Sequence, residues 1–482
     1  DLAQYCKMSD TSIWTGFPGT VPHSGRVCNG RAISGCDSDI CKPYFRMGES
    51  MYRKLNYGAL REYEGKGRLV LKGGLVVDPE NHLEAVKDVV IADDSITMVT
   101  DKAEILAEDR VIDCAGLEVW PGLIDMHLHV SDLYEISTGT VFGAAEDGVT
   151  TALTPGAGNT FMTPALLGAE TDRGVPLNIG AYIGAANVLG TKLNQEELIR
   201  LFRGELPDSI KEEKLSRNWI VNRTAAYAVG IKEHMGHFLL PDDKLDGLFE
   251  VTEQAGLLFM SHTQDIEHTE KVVSIAKGRR IHLGHANAVG CGTHGEPVQS
   301  MKRIRGLLKQ ETVSGEFVTT MLRKGRGSRE GLQMVEAARQ IALQAVADGE
   351  VRIFLSDGQN HSVMKGFGDT RDNIACILEL TENHVLDRRH AVAMMTANPA
   401  KLLRERTKCR EWEKYGNLSR GSYANIVVVD TDDKMATYVI TNGKLTAFEH
   451  RYLRMSGKAG YWVSRFGTCR EMGIGGLALY TK

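Results

Sequence analysis

The sequence predicts an α/β protein: a (β/α)8 barrel with a small β-sandwich domain built from both chain ends, plus an N-terminal extension. Three observations predict it. Short apolar runs alternate with helical stretches through the middle of the chain, as in successive parallel βα units. β-Branched runs of a different texture stand before and after that alternation. Polar side chains interrupt the apolar runs at their C-terminal ends, where a barrel carries its active site.

The elements follow in order. Residues 1–67 are rich in Gly, Ser, Cys and aromatics, with little periodicity. They read as an extension that packs on the main body or on a neighbouring subunit. From Arg68, RLVLKGGLVVDP, KDVVIADDSITMVT and RVIDCAGLEVW read as successive strands separated by turn residues. The texture returns in SYANIVVVDTDD and ATYVITNGKLTAF, so residues 68–120 plus 415–482 are expected to form one β domain. The barrel is expected over 121–414. Its candidate strands are 121–130, 148–155, 176–184, 225–234, 256–264, 279–287, 310–317 and 350–358, with helical segments such as DKLDGLFEVTEQAG between them. On alternation alone, a doubly wound sheet is the rival arrangement.

Composition narrows the function. The 482 residues carry 57 Lys+Arg against 62 Asp+Glu, a formal charge of −5, so no basic excess exists to meet phosphates and no nucleic-acid partner is expected. No run of about 18 apolar residues predicts a membrane span. A G-x-S-x-G elbow is missing, as is a Walker-type loop, which argues against a serine hydrolase and against ATP dependence. Of nine cysteines, Cys6, Cys28, Cys36 and Cys41 crowd the first 41 residues at spacings that match no common zinc or iron–sulfur pattern. Reduced thiols in a cytoplasmic protein are the expectation. The chain starts at Asp1, which leaves a removed targeting segment open.

The chemistry concentrates at the strand ends. His127 and His129 are two residues apart, a spacing that puts two strand side chains on one face. His262 ends FMSH, His285 ends IHLGH, Asp357 ends IFLSD and Lys232 ends AYAVGIK. A barrel would bring all six to one rim. Four imidazoles and a carboxylate suit a divalent cation of the zinc type. A lysine ammonium cannot ligate. Lys232 is therefore either an ion-pair partner or the site of a carbamate formed with CO2, an anion that could bridge two cations. His282 competes with His285 as the ligand of its strand; the choice here is His285. His234, His237 and His268 read as neighbours of the ligands or as surface groups.

The chain resembles the amidohydrolase superfamily, especially its dihydroorotase, hydantoinase and isoaspartyl-dipeptidase branch. The resemblance rests on PGLIDMHLH at 121–129, GVTTAL at 148–153, VGIK at 229–232, SHTQD at 261–265, IHLGHAN at 281–287, LSDG at 355–358, TANPAKLL at 396–403 and GNLSRGSYANIVVVD at 416–430. It spans about 68–445. It implies two divalent metal ions, of the zinc type. His127, His129 and Asp357 would hold one, His262 and His285 the other, and carboxylated Lys232 would bridge both. Asp357 would take a proton from a metal-bridging hydroxide and return it to the leaving nitrogen. The implied reaction is hydrolysis of a C–N amide bond in a cyclic amide or an N-acyl amino acid derivative, with a small-molecule amide as partner and a homo-oligomeric assembly. Two alternatives stay open: a mononuclear-metal aminohydrolase of a heterocycle, and a non-catalytic scaffold.

Substrate contacts are sought in three loops. Arg323, Lys324, Arg326 and Arg329 lie in the basic stretch LRKGRGSREG, where Arg323 and Arg326 would clamp a substrate carboxylate. Asn159 sits in the Gly-rich PGAGNT, and His361 follows Asp357 on its loop. Arg323, Arg326, Asn159 and His361 are the candidates for substrate binding. Thr160 after Gly158-Asn159, where the D-aminoacylase branch has a cysteine, argues against that branch.

Overall fold

The computed structural model describes residues 67–130, 141–156, 158–234, 239–327, 332–358, 366–448, 451–452 and 459–474. The four N-terminal cysteines, His237, Arg329 and His361 lie outside the described residues. Strands are numbered in chain order. The first five are β1 (Leu69–Asp78), β2 (Leu83–Ala92), β3 (Ser95–Thr100), β4 (Arg110–Asp113) and β5 (Glu118–Pro121). The next eight are β6 (Leu123–Asp125), β7 (Val149–Thr154), β8 (Asn178–Gly184), β9 (Gly230–Glu233), β10 (Leu258–His262), β11 (Ile281–Gly284), β12 (Val313–Val318) and β13 (Ile353–Leu355). Then come β14 (Ile426–Asp430), β15 (Met435–Thr441), β16 (Lys444–Phe448), β17 (Arg451–Tyr452), β18 (Trp462–Ser464) and β19 (Gly467–Cys469).

The first group and β14 to β17 share one sheet, in the order β17-β16-β15-β14-β5-β1-β2-β3, with β4 also on β1, whereas β18 and β19, expected in the same β domain, instead extend the barrel sheet, with Trp462 of β18 parallel to Ile179 of β8. The join between the chain ends is antiparallel, with Val427 opposite Trp120 and Val428 opposite Val119. Alternation explains the unbroken apolar run in β14. Ile426 and Val428 pack with Val76, Val119, Tyr438 and Ile440 in the core of the β domain. Val427 and Val429, on the other face, join Val77, Trp120 and Val439 in the barrel's outer core. A strand buried on both faces has no polar positions to alternate with.

The described residues β6 to β13 form eight parallel strands, each paired with its neighbour in sequence. They have the (β/α)8 pattern. On β7 to β10 alternate positions fall into two clusters. Ile124, Leu153, Tyr182, Leu258 and Met260 share one cluster. Ala152, Ile183, Ile231, Phe259, Leu283 and Phe317 pack in the other, with helices such as Asp242–Ala255 and Ile266–Ala276. The first and last strands meet at a parallel bridge between Leu128 and Gly358. Asp125 reinforces that closure: Oδ1 accepts the His127 N–H at 3.1 Å and Oδ2 the Ser356 N–H at 3.2 Å. Burial pushes its carboxyl up to about 6.

At the start of β8, Asn178 ties barrel to β domain. Its Nδ2 donates to Thr150 O at 3.1 Å, and its Oδ1 accepts from Asn442 Nδ2 at 2.7 Å and from the Tyr461 N–H at 2.8 Å. No helix among the described residues is long and apolar enough to cross a membrane. Among the described residues, Cys291, Cys376 and Cys409 are free thiols.

Candidate metal centre

The strand ends deliver the expected side chains to one place. His127 and His129 lie just past β6, their ring centroids 5.4 Å apart. Their Nε2 atoms lie 3.1 and 3.0 Å from the same oxygen, Asp357 Oδ1. One donor atom each from His127, His285 and Asp357 falls within 4.8 Å of the others, and all three residues are buried. His262, the last residue of β10, places Nδ1 2.9 Å from His285 Nε2. The sequence-predicted histidines and Asp357 are thus neighbours in space.

Local backbone explains how two of them get there. Strand alternation puts His282 and Gly284 on the inner face and would send His285 outward. His285 instead adopts φ 44° directly after β11, and Asp357 adopts φ 48° after β13. Left-handed backbone at a histidine or an aspartate costs free energy and is held only by its surroundings. In both cases it turns the side chain back towards the rim. The choice of His285 over His282 rests on this turn. His282 faces Ser314 Oγ at 2.8 Å and Glu316 Oε2 at 3.1 Å instead.

Lys232 is buried on β9, and the glycine beside it shows where its amine lies. A Cβ on Gly284 would fall 2.9 Å from Lys232 Nζ and 3.2 Å from His127 Cε1. The amine therefore reaches the imidazole cluster, and only a residue without a side chain leaves it room.

The electrostatics favour ligand-ready forms. Burial would raise the Asp357 carboxyl, but hydrogen bonds and charge from His127 and His129 outweigh it and hold the group well below the usual range. Its Oδ2 accepts the Phe367 N–H at 2.7 Å. Burial, with the nearby His285 and Lys232, pushes His262 well below its ordinary value. Burial does the same to His285, against the pull of Asp357. Neutral imidazoles and an ionised carboxylate are the protonation states that bind cations. His285 Nδ1 is buried with no hydrogen-bond partner among the described residues. A cation supplies what such an orphaned nitrogen lacks. The donor set fits a divalent ion of the zinc type.

Two carboxylates that sequence reasoning passed over, and two histidines it placed near the ligands, surround this cluster. Glu316 on β12 is buried, with Oε1 2.7 Å from His127 Nδ1. Burial would raise its carboxyl, but His282 and His127 bring it down to about 2. Glu233, next to Lys232, accepts from Ser261 Oγ at 2.7 Å and faces His268 Nε2 at 3.0 Å. His234 stacks on His262 with centroids 4.1 Å apart. A glutamate inside the apolar run VSGEFV was the available signal for Glu316.

The expected substrate contacts meet a different geometry. Arg323 Nη2 lies 2.7 Å from Glu379 Oε1, its Nη1 binds Asp372, and Arg326 Nη2 is 3.0 Å from Asp372 Oδ1. These arginines already hold carboxylates, and the carboxylates belong to the chain itself, on the helix Asp372–Glu382. Asn159 is buried and donates Nδ2 to Thr154 O at 3.1 Å, while its own carbonyl accepts the Gly184 N–H at 2.9 Å. It braces the ends of β7 and β8. A cavity of about 880 Å3 opens at the N-terminal ends of β10 to β13 and contains none of the expected ligands.

Comparison with known proteins agrees with this fold. A crystal structure of a D-hydantoinase superposes with a TM-score of 0.60 at 17% identity, covering 83% of this chain and 100% of its own. A beta-aspartyl dipeptidase from Fervidobacterium islandicum gives 0.57 at 14% identity, covering 82% and 100%. In sequence, a dihydroorotase of a Geobacter species is 22% identical over 413 residues, 75% of this chain and 89% of the relative. The pattern that defines the Amidohydrolase family matches residues 119–447, from the last strand before the barrel through β16. By that match, over most of its length, the chain belongs to the amidohydrolase family, whose members are metal-dependent.

Proposed function

We propose that this chain hydrolyses the C–N amide bond of a cyclic amide or of an N-acyl amino acid derivative, with a pair of zinc-type cations. The reading is supported most by one observation: His127, His285 and Asp357 present donor atoms within 4.8 Å of each other at the strand C-terminal ends. His127, His129 and Asp357 would hold one cation, and His262 and His285 the other. Lys232, carboxylated by CO2, would contribute to both. When bound, the cations supply an activated water and polarise the scissile carbonyl.

The chain's own groups do the rest. Asp357 directs Oδ1 at His127 and His129, while Oδ2 accepts the Phe367 N–H. Oδ2 keeps a lone pair that takes a proton from water and returns it to the leaving nitrogen, a general base that becomes a general acid. The neutral imidazoles of His262 and His285 stay free of protons that would compete for their lone pairs. Dihydroorotase relatives and the hydantoinase and dipeptidase folds point to the same substrate class.

The test joins metal analysis to a panel of hydantoins, dihydropyrimidines, lactams and N-acyl amino acids. Purified protein is expected to hold about two zinc-type ions per chain and to hydrolyse at least one class. Reactivation of stripped protein is expected to depend on CO2. Lys232→Ala is expected to lose both activity and bound metal. Full activity and full metal content in that variant would defeat the bridging role. One ion per chain with deamination of a heterocycle would favour the mononuclear alternative.

A further inference from the structure

Glu316 carries an inference that rests on the reading of His127 as a ligand. Ser314 and Glu316 share a face of β12 by strand alternation. A buried carboxylate is costly unless both its oxygens are met. Here Oε1 is hydrogen-bonded to His127 Nδ1 at 2.7 Å, and Oε2 lies 3.1 Å from His282 Nε2, within ion-pair distance but without hydrogen-bond geometry. Ser314 Oγ, 2.8 Å from His282 Nδ1, steadies the second imidazole from behind. The four side chains form a line: Ser314, His282, Glu316, His127.

A neutral imidazole has one N–H and one lone pair. A ring that offers Nε2 to a cation must keep its proton on Nδ1, and the partner of Nδ1 decides whether it does. We propose that Glu316, anchored by His282, is a positioning residue for the metal centre. It holds the His127 proton on Nδ1 and fixes the ring so that Nε2 faces Asp357 and the cluster. His282 then has a defined task that is not ligation: it keeps the Glu316 carboxylate turned so that Oε1 reaches His127.

The experiment uses the full chain, stripped of metal, with Zn2+ alone as the probe in competition with a chromophoric chelator. Thermal unfolding of the metal-free proteins runs alongside. Glu316→Gln keeps the reach and the volume but removes the charge. Its zinc affinity is expected to fall about 10- to 100-fold, with no matching fall in the metal-free melting temperature. His282→Gln leaves the Glu316–His127 contact but loosens its anchor, so it is expected to weaken zinc binding by a smaller factor. Equal zinc affinity in Glu316→Gln and wild type overturns the inference, as does a larger loss in His282→Gln. Should Glu316→Gln fail to fold, His282→Gln decides: wild-type affinity in that variant overturns the inference. A wild-type protein that takes no zinc removes the metal reading and this inference together. A wild type that binds zinc no more tightly than Glu316→Gln removes the inference alone.

Discussion

Gly284→Ala separates folding from function at this centre. Gly284 is the last residue of β11, opposite His262 in the strand register. Its φ is not positive, so alanine meets no backbone penalty. The added methyl would stand 2.9 Å from Lys232 Nζ, 3.2 Å from His127 Cε1 and 3.2 Å from Met260 Cγ. The first is the tip of a flexible side chain and moves cheaply. The other two require shifts of a few tenths of an ångström. Overpacking of this kind costs about 1–3 kcal/mol, and a flexible nearest neighbour places the cost at the lower end. On the proposed reading function should suffer far more, because the yielding atom is the nitrogen whose carbamate would serve the cations. A displacement of about 1 Å at a reacting centre costs about 100-fold in rate. The assay pairs thermal unfolding with kcat/KM on the best amide of the panel and with zinc content. A variant that keeps kcat/KM and metal content within about twofold of wild type would refute the placement of Lys232 beneath the cluster.

Two further predictions concern stability. Asp147 is pushed up to about 7, first by burial and then by Asp369, although Thr370 Oγ1 donates to it and Arg371 lies near. The folded chain therefore binds this proton more tightly than the unfolded chain does, and the penalty for ionising it grows between about pH 4 and pH 7. Asp147→Asn is expected to be more stable to unfolding than wild type above pH 7, by at most about 4 kcal/mol, with the two stabilities converging near pH 4; a pH-independent difference would contradict this. Asn178→Ala removes the acceptor of Asn442 Nδ2 and the Tyr461 N–H and the donor to Thr150 O. A loss of about 2–4 kcal/mol in urea unfolding is expected, and a loss below about 1 kcal/mol would show that water replaces the network.

Much of the centre was legible in the residues because its signals are local. An imidazole or a carboxylate at the end of an apolar run needs no distant information to be noticed, which is how His127, His129, Lys232, His262, His285 and Asp357 come to attention. Glu316 is harder. Its partner His127 lies 189 positions away, and a single glutamate in VSGEFV reads equally as a solvated strand position. Arg323 and Arg326 have partners that the sequence alone does not announce. A basic loop invites a substrate carboxylate, but Asp372 and Glu379 approach it only once two helical segments pack together. Asn159 looks like a loop group free to meet a ligand, and its burial against Thr154 becomes visible only when β7 and β8 lie side by side.

The strands, their alternation with helices, the shared β domain of the two chain ends and the ligand-type residues at the strand tips were all written in the chain. Periodicity, turn chemistry and residue type act over a few positions. Tertiary structure decided the rest: the left-handed turns that aim His285 and Asp357, the carboxylate behind His127, and the internal partners of the arginines. Those depend on which side chains meet across tens to hundreds of residues, and packing, not local preference, settles such meetings.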